Sequence, residues 1–302
     1  MTCLEELHQR ITGEIIEEYN QLAADNIARK RVRAQLGEQR MQAALAAAEA
    51  AGLKISQLQA HDLELAKKMD EELKAISTKM QEMSQTPTRV SAGLDVGNAF
   101  LPEGAQLLTP AWVASFSDDD VQDQLTSSSD ISAQDLLSGG GCQDYRNWAS
   151  GGGWGCAGTG VGEIQSWVYF GFWYRPPVSR FYSVVPLFRF RGYVIVRADD
   201  AWYNCKHARV IGSAWTNVNQ YNWKGWNHVD VYNDAGDNIN LNTRRDIDRY
   251  TYNSYLLGGG DWAWISCVIG LYARAQGDGS YAENNFSTGA ANYLCVPNCY
   301  VY

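Results

Sequence analysis

The sequence predicts an α + β multidomain protein, in which an N-terminal amphipathic helical hairpin or coiled-coil segment is followed by an antiparallel β sandwich or jelly-roll-like domain. Up to Ser84 the chain is rich in charge and alanine and has a single Phe, Tyr or Trp residue, Tyr19, whereas ten of the eleven tryptophans lie between Trp148 and Trp264. Further on, apolar segments with a period of two alternate with Gly-, Asn- and Asp-rich turns, which is typical of antiparallel sheets. The predicted division is a helical unit (1–86), a linker (87–163) and a β domain (164–302).

The helical unit carries the pattern of amphipathic helices. Apolar residues recur at steps of three and four, and no proline interrupts the pattern. Gly52 followed by Leu53 fits a helix end in a Schellman motif, and Ser56 with Gln59 fits a capping box at the start of another helix. A stop and a start so close together predict an antiparallel hairpin. The alternative is one continuous rod with a tolerated glycine.

The hairpin prediction places helices at residues 3–51 and 57–84, with a tight loop at Gly52–Ser56. Because the first arm is the longer one, its surplus around residues 3–24 needs a partner. That surplus is expected to pack on the β domain, to fold back as a third helix or to pair with another copy of the chain. We therefore expect a homo-oligomer.

The linker is expected to hold a short helix and a glycine-rich loop. Pro87 ends the second helix, and residues 130–137 fit a short helix. The glycine-rich stretch from Cys142 to Gly162 predicts a long surface loop, of the kind that often carries function. Cys142 and Cys156 flank this loop and are candidates for a disulfide in an oxidising environment. The seven cysteines fit no zinc pattern and are otherwise expected to be reduced.

The β domain contains strands that are apolar on both faces or on one. Ser166–Tyr174 is apolar on both faces, which is typical of a buried central strand. Trp262–Arg274 alternates with a period of two. Its inward-facing set is predicted to be Ala263, Ile265, Cys267, Ile269 and Leu271.

Composition and motifs disfavour several classes of function. A formal net charge of −9 disfavours a nucleic-acid partner, which needs clustered Lys and Arg. With four histidines and no Gly-X-Ser-X-Gly, Walker A or dinucleotide motif, we predict no catalytic residues and no cofactor. Cys205 with His207, and His228 with Asp230, form pairs of potential ligands, but pairs on strands do not define a site, so no metal is predicted.

An aromatic run in the β domain is the best candidate for a recognition surface. The predicted ligand-binding residues are Tyr221, Trp223, Trp226, Asn227 and His228. Aromatic faces bind the C–H patches of sugars or quaternary ammonium groups, and neighbouring polar side chains supply directional hydrogen bonds. A Lys-Gly pair interrupts the run like a loop tip, so both tryptophans are expected at the surface. The alternative is that they pack in the core or against a neighbouring subunit.

These observations predict a non-enzymatic binding or assembly protein, whose helical segment presents the β domain for glycan, cell-surface or self-association contacts. The alternatives are a secreted toxin or pore-forming protein, whose helical hairpin acts on membranes, and an enzyme with an unrecognised site. The sequence shows no signal peptide and no apolar stretch long enough for an integral membrane segment. We expect cytoplasmic synthesis, with any release by lysis or a non-classical route.

Overall fold

The protein is described by a computed structural model, which gives two layers of sheet with helix on their outer faces. The described residues are 3–54, 56–57, 60, 64, 67–68, 71–76, 78–79, 82, 102, 104–118, 142–153, 159–199, 205–287 and 291–302. The elements with defined bounds are α1 (Cys3–Ala50), β1 (Gln106–Leu108), β2 (Trp112–Ser117), β3 (Cys142–Gln143), β4 (Tyr145–Ser150), β5 (Gly162–Tyr174), β6 (Arg180–Asp199), β7 (His207–Gln220), β8 (Asn222–Trp223), β9 (Asn227–Gly236), β10 (Asn238–Tyr250), β11 (Asn253–Leu257), β12 (Ala263–Gln276), β13 (Tyr281–Phe286), β14 (Tyr293–Cys295) and β15 (Cys299–Val301).

The strands form two antiparallel sheets, which we call sheet I and sheet II. Sheet I has six strands in the order β2-β5-β12-β7, and both β8 and β9 pair with β7. Sheet II has nine strands and is organised around β6, which pairs with β10, β11, β13, β14 and β15. The inner faces of the two sheets share one apolar core. The prediction of antiparallel sheets arranged as a β sandwich is thereby confirmed.

The side chains of β12 that were predicted from the period of two to point inward do face the core. Its inward set is completely buried: Ala263, Ile265, Cys267, Ile269 and Leu271. Burial of one large aliphatic side chain stabilises a fold by roughly 1.5–3 kcal/mol, so this strand anchors the sandwich. The thiol of Cys267 is free and buried among these residues, and burial raises its pKa well above the ordinary value.

The outer face of sheet I is also apolar along β2, β5 and β12, and α1 packs on that part of it. Ile11, Ile15 and Tyr19 of α1 are buried in a second cluster. The sheet contributes Trp112, Ala114, Phe116, Trp167, Tyr169, Trp264 and Val268 to that cluster. The ring of Tyr19 stacks on that of Phe116 with 4.8 Å between centroids. Apolar side chains therefore occupy both faces of β2, β5 and β12, since the core covers one face and α1 packs on the other.

The first helix ends as the sequence predicts. The amide of Leu53 donates to the carbonyl of Ala48 at 3.1 Å, and the amide of Gly52 donates to that of Glu49 at 2.9 Å. These are the two bonds of a Schellman motif, and Gly52 has the left-handed φ of +79° that the motif requires.

A coiled-coil hairpin is not shown by the described residues. The apolar stripe of α1 packs on sheet I, and the described helical residues Leu73 and Ile76 pack against Tyr193 and Ile195 of sheet II. Helical spacing specifies an apolar stripe but not its partner. In both contacts the outer face of a sheet takes the place that another helix would fill in a coiled coil.

The range predicted as a linker contributes four strands. β1 pairs with β15, β2 with β5, β3 with β14 and β4 with β13. The glycine-rich stretch from Cys142 is therefore strand in its first part, where Asn147 and Ala149 of β4 are buried. Short strands have a weak local signal because their neighbours in the sheet stabilise them. The predicted helix at 130–137 lies outside the described residues.

The cysteine pairing differs from the expected one. Cys142 forms a disulfide with Cys295, which is its partner in the register of β3 and β14. Cys205 is also disulfide-bonded, whereas Cys156 lies outside the described residues. The sequence placed Cys142 and Cys156 near each other along the chain, but strand pairing brings the distant cysteine closer.

No helix among the described residues has the length and apolar character that crossing a bilayer would require.

Candidate functional site

Next to the part of sheet I on which α1 packs, aromatic rings continue along the edge of the sheet. Trp223, Trp226, Trp215 and His228 follow one another with ring-centroid distances of 6.4, 6.5 and 4.3 Å. Strand register explains the arrangement, since β7 and β9 place Trp215 opposite His228. We call these four rings the aromatic row.

One end of the aromatic row touches the helix. Trp223 and Trp226 are half-buried and, like Trp215, pack against the cluster beneath α1. A side-chain hydrogen bond joins Trp226 to Glu18 of α1. Burial raises the pKa of Glu18, and the bond from Trp226 opposes that rise. The helix therefore fixes this end of the row in place.

A groove of about 270 Å³ lies at the other end of the row. It is lined by Gln165, Arg209, Ile211, Ser213, Trp215, His228, Asp230, Gly270, Leu271 and Tyr272. Trp215 and His228 thus belong to both the row and the groove. The groove is open on the outer face of sheet I, where a ligand can approach the edge of the indole.

A glycine and a serine orient the indole of Trp215. Its Nε1 donates to Oγ of Ser213 at 2.8 Å, and that hydroxyl donates to the carbonyl of Gly270 at 3.3 Å. A Cβ added to Gly270 would lie 2.6 Å from the serine oxygen and 3.2 Å from the indole nitrogen. The absence of a side chain at Gly270 is therefore what lets Trp215 occupy this position.

The polar groups around the groove include donors and acceptors. Arg209 is held by a bond from its Nε to Asn233 Oδ1 at 3.0 Å, and His228 lies 3.4 Å from the carboxylate of Asp230. Burial, followed by the charge of Glu163, raises the pKa of Tyr272 to about 12. The phenol of Tyr272 is neutral at physiological pH and forms a side-chain hydrogen bond with Glu163.

Two of the five predicted residues point elsewhere. The hydroxyl of Tyr221 donates to the carboxylate of Asp261, and its backbone has a left-handed φ of 68°. Asn227 donates from Nδ2 to the hydroxyl of Tyr255 at 3.1 Å. Trp223, Trp226 and His228 are the members of the predicted set that the structure brings together.

The residues that the sequence prediction missed come from other strands. Trp215 and Arg209 belong to β7, Gln165 to β5 and Tyr272 to β12. In β7, Arg209, Ile211, Ser213 and Trp215 alternate with core residues, so the period of two was the signal that placed them on the outer face. Recognising them as one site required the register of three strands.

Within the described ranges, no three His, Cys, Asp or Glu side chains converge as metal ligands would. His207 instead bonds Asp237 at 2.8 Å, and Cys205 is in a disulfide.

Comparison of the chain with known protein families and with characterised proteins finds no match. Its function is therefore inferred from the aromatic row and the groove.

Proposed function

We propose that the protein is a non-enzymatic binding protein whose aromatic row and groove bind a glycan. The observation that carries this proposal is the row of four rings that runs into a groove with hydrogen-bonding groups on its walls. A sugar ring has apolar C–H faces and a rim of hydroxyls. Its faces pack on the electron-rich faces of aromatic rings, while its hydroxyls accept hydrogen bonds from Arg209 and donate them to Asp230.

The size of the groove and the length of the aromatic row support binding of a short stretch of a sugar chain. Small-molecule pockets usually measure about 300–1,000 Å³, so a groove of about 270 Å³ suits one sugar residue. Neighbouring sugars would then lie along Trp226 and Trp223. The described lining has one arginine and one aspartate, which favours a neutral sugar.

Two observations bear on the rival classes. The described lining of the groove holds a single carboxylate, Asp230, whereas glycoside cleavage typically uses two. The disulfide between Cys142 and Cys295 suits an oxidising environment, where cell-surface glycans are found. The first observation supports binding over cleavage, and the second supports a glycan outside the cell.

A glycan array tests the proposal. Trp215→Ala removes one of the two rings shared by the row and the groove, and Trp148→Ala is its matched control. Trp148 lies on sheet II, is half exposed and stacks on Tyr281 with 6.2 Å between centroids. We expect the native protein and the control to bind the same neutral glycans and Trp215→Ala to lose them. Equal binding by both variants, or the absence of any bound glycan, would reject the proposal.

We also propose self-association, which a second exposed surface supports. Phe181 and Leu256 are cross-strand partners on β6 and β11, and their side chains are 67% and 56% exposed. Exposed apolar neighbours of this kind often mark contact surfaces. Sedimentation equilibrium of Phe181→Asp tests the proposal, since a dimer or larger assembly should dissociate. A native protein that is monomeric at high concentration would exclude it.

A further inference from the structure

A second cavity lies on the opposite side of the sandwich, between the described helical residues and sheet II. It measures about 370 Å³. Its walls come from the helical residues Lys68 and Glu72, the end of β6, the start of β10, Lys206 before β7 and the turn between β12 and β13. This cavity shares no lining residue with the groove on sheet I.

Arg197 is the central group of this cavity. Its side chain is 8% exposed, its Nε donates to Asn240 Oδ1 at 3.0 Å, and its Nη2 donates to Glu72 Oε2 at 3.0 Å. Its Nη1 is buried and has no hydrogen-bond partner among the described residues. A buried N–H group without a partner is costly, so the guanidinium is able to take one more acceptor.

Two further cations line the same space. Lys206 is almost completely buried, and Lys68 is exposed on the helical segment one turn from Glu72. Lysine and arginine are rarely this buried without compensating negative charge. Two carboxylates of the lining, those of Glu72 and Asp199, supply part of that charge, so the three cations leave the lining with one formal positive charge in excess.

We propose that this cavity binds a small oxyanion of the phosphate or sulfate class, with Arg197 as its principal ligand. The planar guanidinium gives paired hydrogen bonds to such an anion, and the ammonium groups of Lys206 and Lys68 add charge from two sides. Because Lys68 belongs to the helical segment and Arg197 to sheet II, a bound oxyanion ties the segment to the sheet.

Titration calorimetry with sodium sulfate and with sodium phosphate, in chloride buffer of constant ionic strength, tests this proposal. We expect one saturable site per chain. Lys68→Ala should weaken binding by about threefold to tenfold, since one charged contact is lost. Lys67→Ala is the matched control, because Lys67 is the exposed neighbour on the same segment and does not line the cavity. Its affinity should stay within about twofold of the native value.

Two other variants sharpen the test. Glu72→Gln removes the competing carboxylate from Arg197 and should tighten binding by about threefold or more. Arg197→Gln should weaken it by about tenfold or more, the effect of one or two charge-assisted bonds. If Arg197→Gln does not fold, the variants at the exposed residues Lys68 and Glu72 still test the proposal. An absence of saturable heat, or equal affinities for Lys68→Ala, Lys67→Ala and Glu72→Gln, would overturn the proposal.

Discussion

The two outer faces of the sandwich are built on different chemistry. Under α1, the face of sheet I is aromatic, and Tyr169 and Trp264 are completely buried. On sheet II, Arg189 and Arg191 both pair with Asp248, at 3.1 and 2.6 Å. One face is stabilised by removal of apolar surface from water, which contributes far more per residue than partly exposed ion pairs do.

This difference explains where the candidate site lies. The ion pairs of sheet II can face water, and helical residues cover only its buried pair Tyr193 and Ile195, whereas the aromatic face of sheet I must be covered or used for contact. α1 covers the middle of sheet I and leaves Trp215 and His228 beside it. The same residue type is therefore structural under the helix and available for a ligand outside it.

The largest expected effect is the loss of a ring under α1. Trp264→Ala removes an indole that packs against Gly171, and we expect a cost of about 3–5 kcal/mol in the free energy of unfolding. Trp148→Ala on sheet II should cost about 1 kcal/mol, because that ring is half exposed. Urea unfolding of both variants measures the difference. Equal costs would show that α1 does not bury this face.

A second prediction compares two positions of α1 itself. Ile15→Ala should cost about 2–4 kcal/mol, since this side chain is buried against sheet I. Val32→Ala should change stability by no more than about 0.5 kcal/mol, because Val32 is 56% exposed. The same unfolding experiment checks both. A large effect at Val32 would indicate a partner on the distal half of the helix.

The ion pairs of sheet II should contribute less and depend on salt. Asp248→Asn removes the shared partner of Arg189 and Arg191, and we expect a loss of about 1 kcal/mol at low ionic strength. At about 1 M salt the loss should shrink, because screening already weakens the native pairs. Ile15→Ala is the comparison, and its cost should not fall with salt. A salt-independent loss at Asp248 would contradict an electrostatic origin.

The smallest expected effect is the contribution of His8, near the start of α1, to the pH dependence of stability. His8 lies near Trp264, and burial lowers the pKa of His8 below its ordinary value of 6.5. The unfolded chain then takes up a proton before the folded one does, so stability falls as the pH drops below about 6.5. In His8→Phe the loss of melting temperature between pH 7.5 and pH 5.5 should be smaller than in the native protein. An equal loss would assign the acid sensitivity to other groups.

Local patterns were sufficient for part of this structure. The inward set of β12 followed from a period of two, and the end of α1 followed from Gly52 and Leu53, because both signals lie within a few residues. The partner of α1 and that of Cys142 did not follow, since helical spacing and cysteine spacing carry no information on distant strands. The candidate site was likewise predictable only in part from local sequence. Trp226 and His228 stood in one run of sequence, but Trp215 joins them only through the register of β7 and β9.

Calorimetric titration of the best-bound neutral glycan from the array tests the central claim most directly, with Trp215 replaced by Phe and by Leu. Phenylalanine keeps an aromatic face, whereas leucine keeps apolar bulk without one. We expect Trp215→Phe to bind within about fivefold of the native protein and Trp215→Leu to lose about tenfold or more, as for a binding hot spot. Melting curves must show both variants folded. If Trp215→Leu binds as tightly as the native protein, the aromatic row does not form the glycan site.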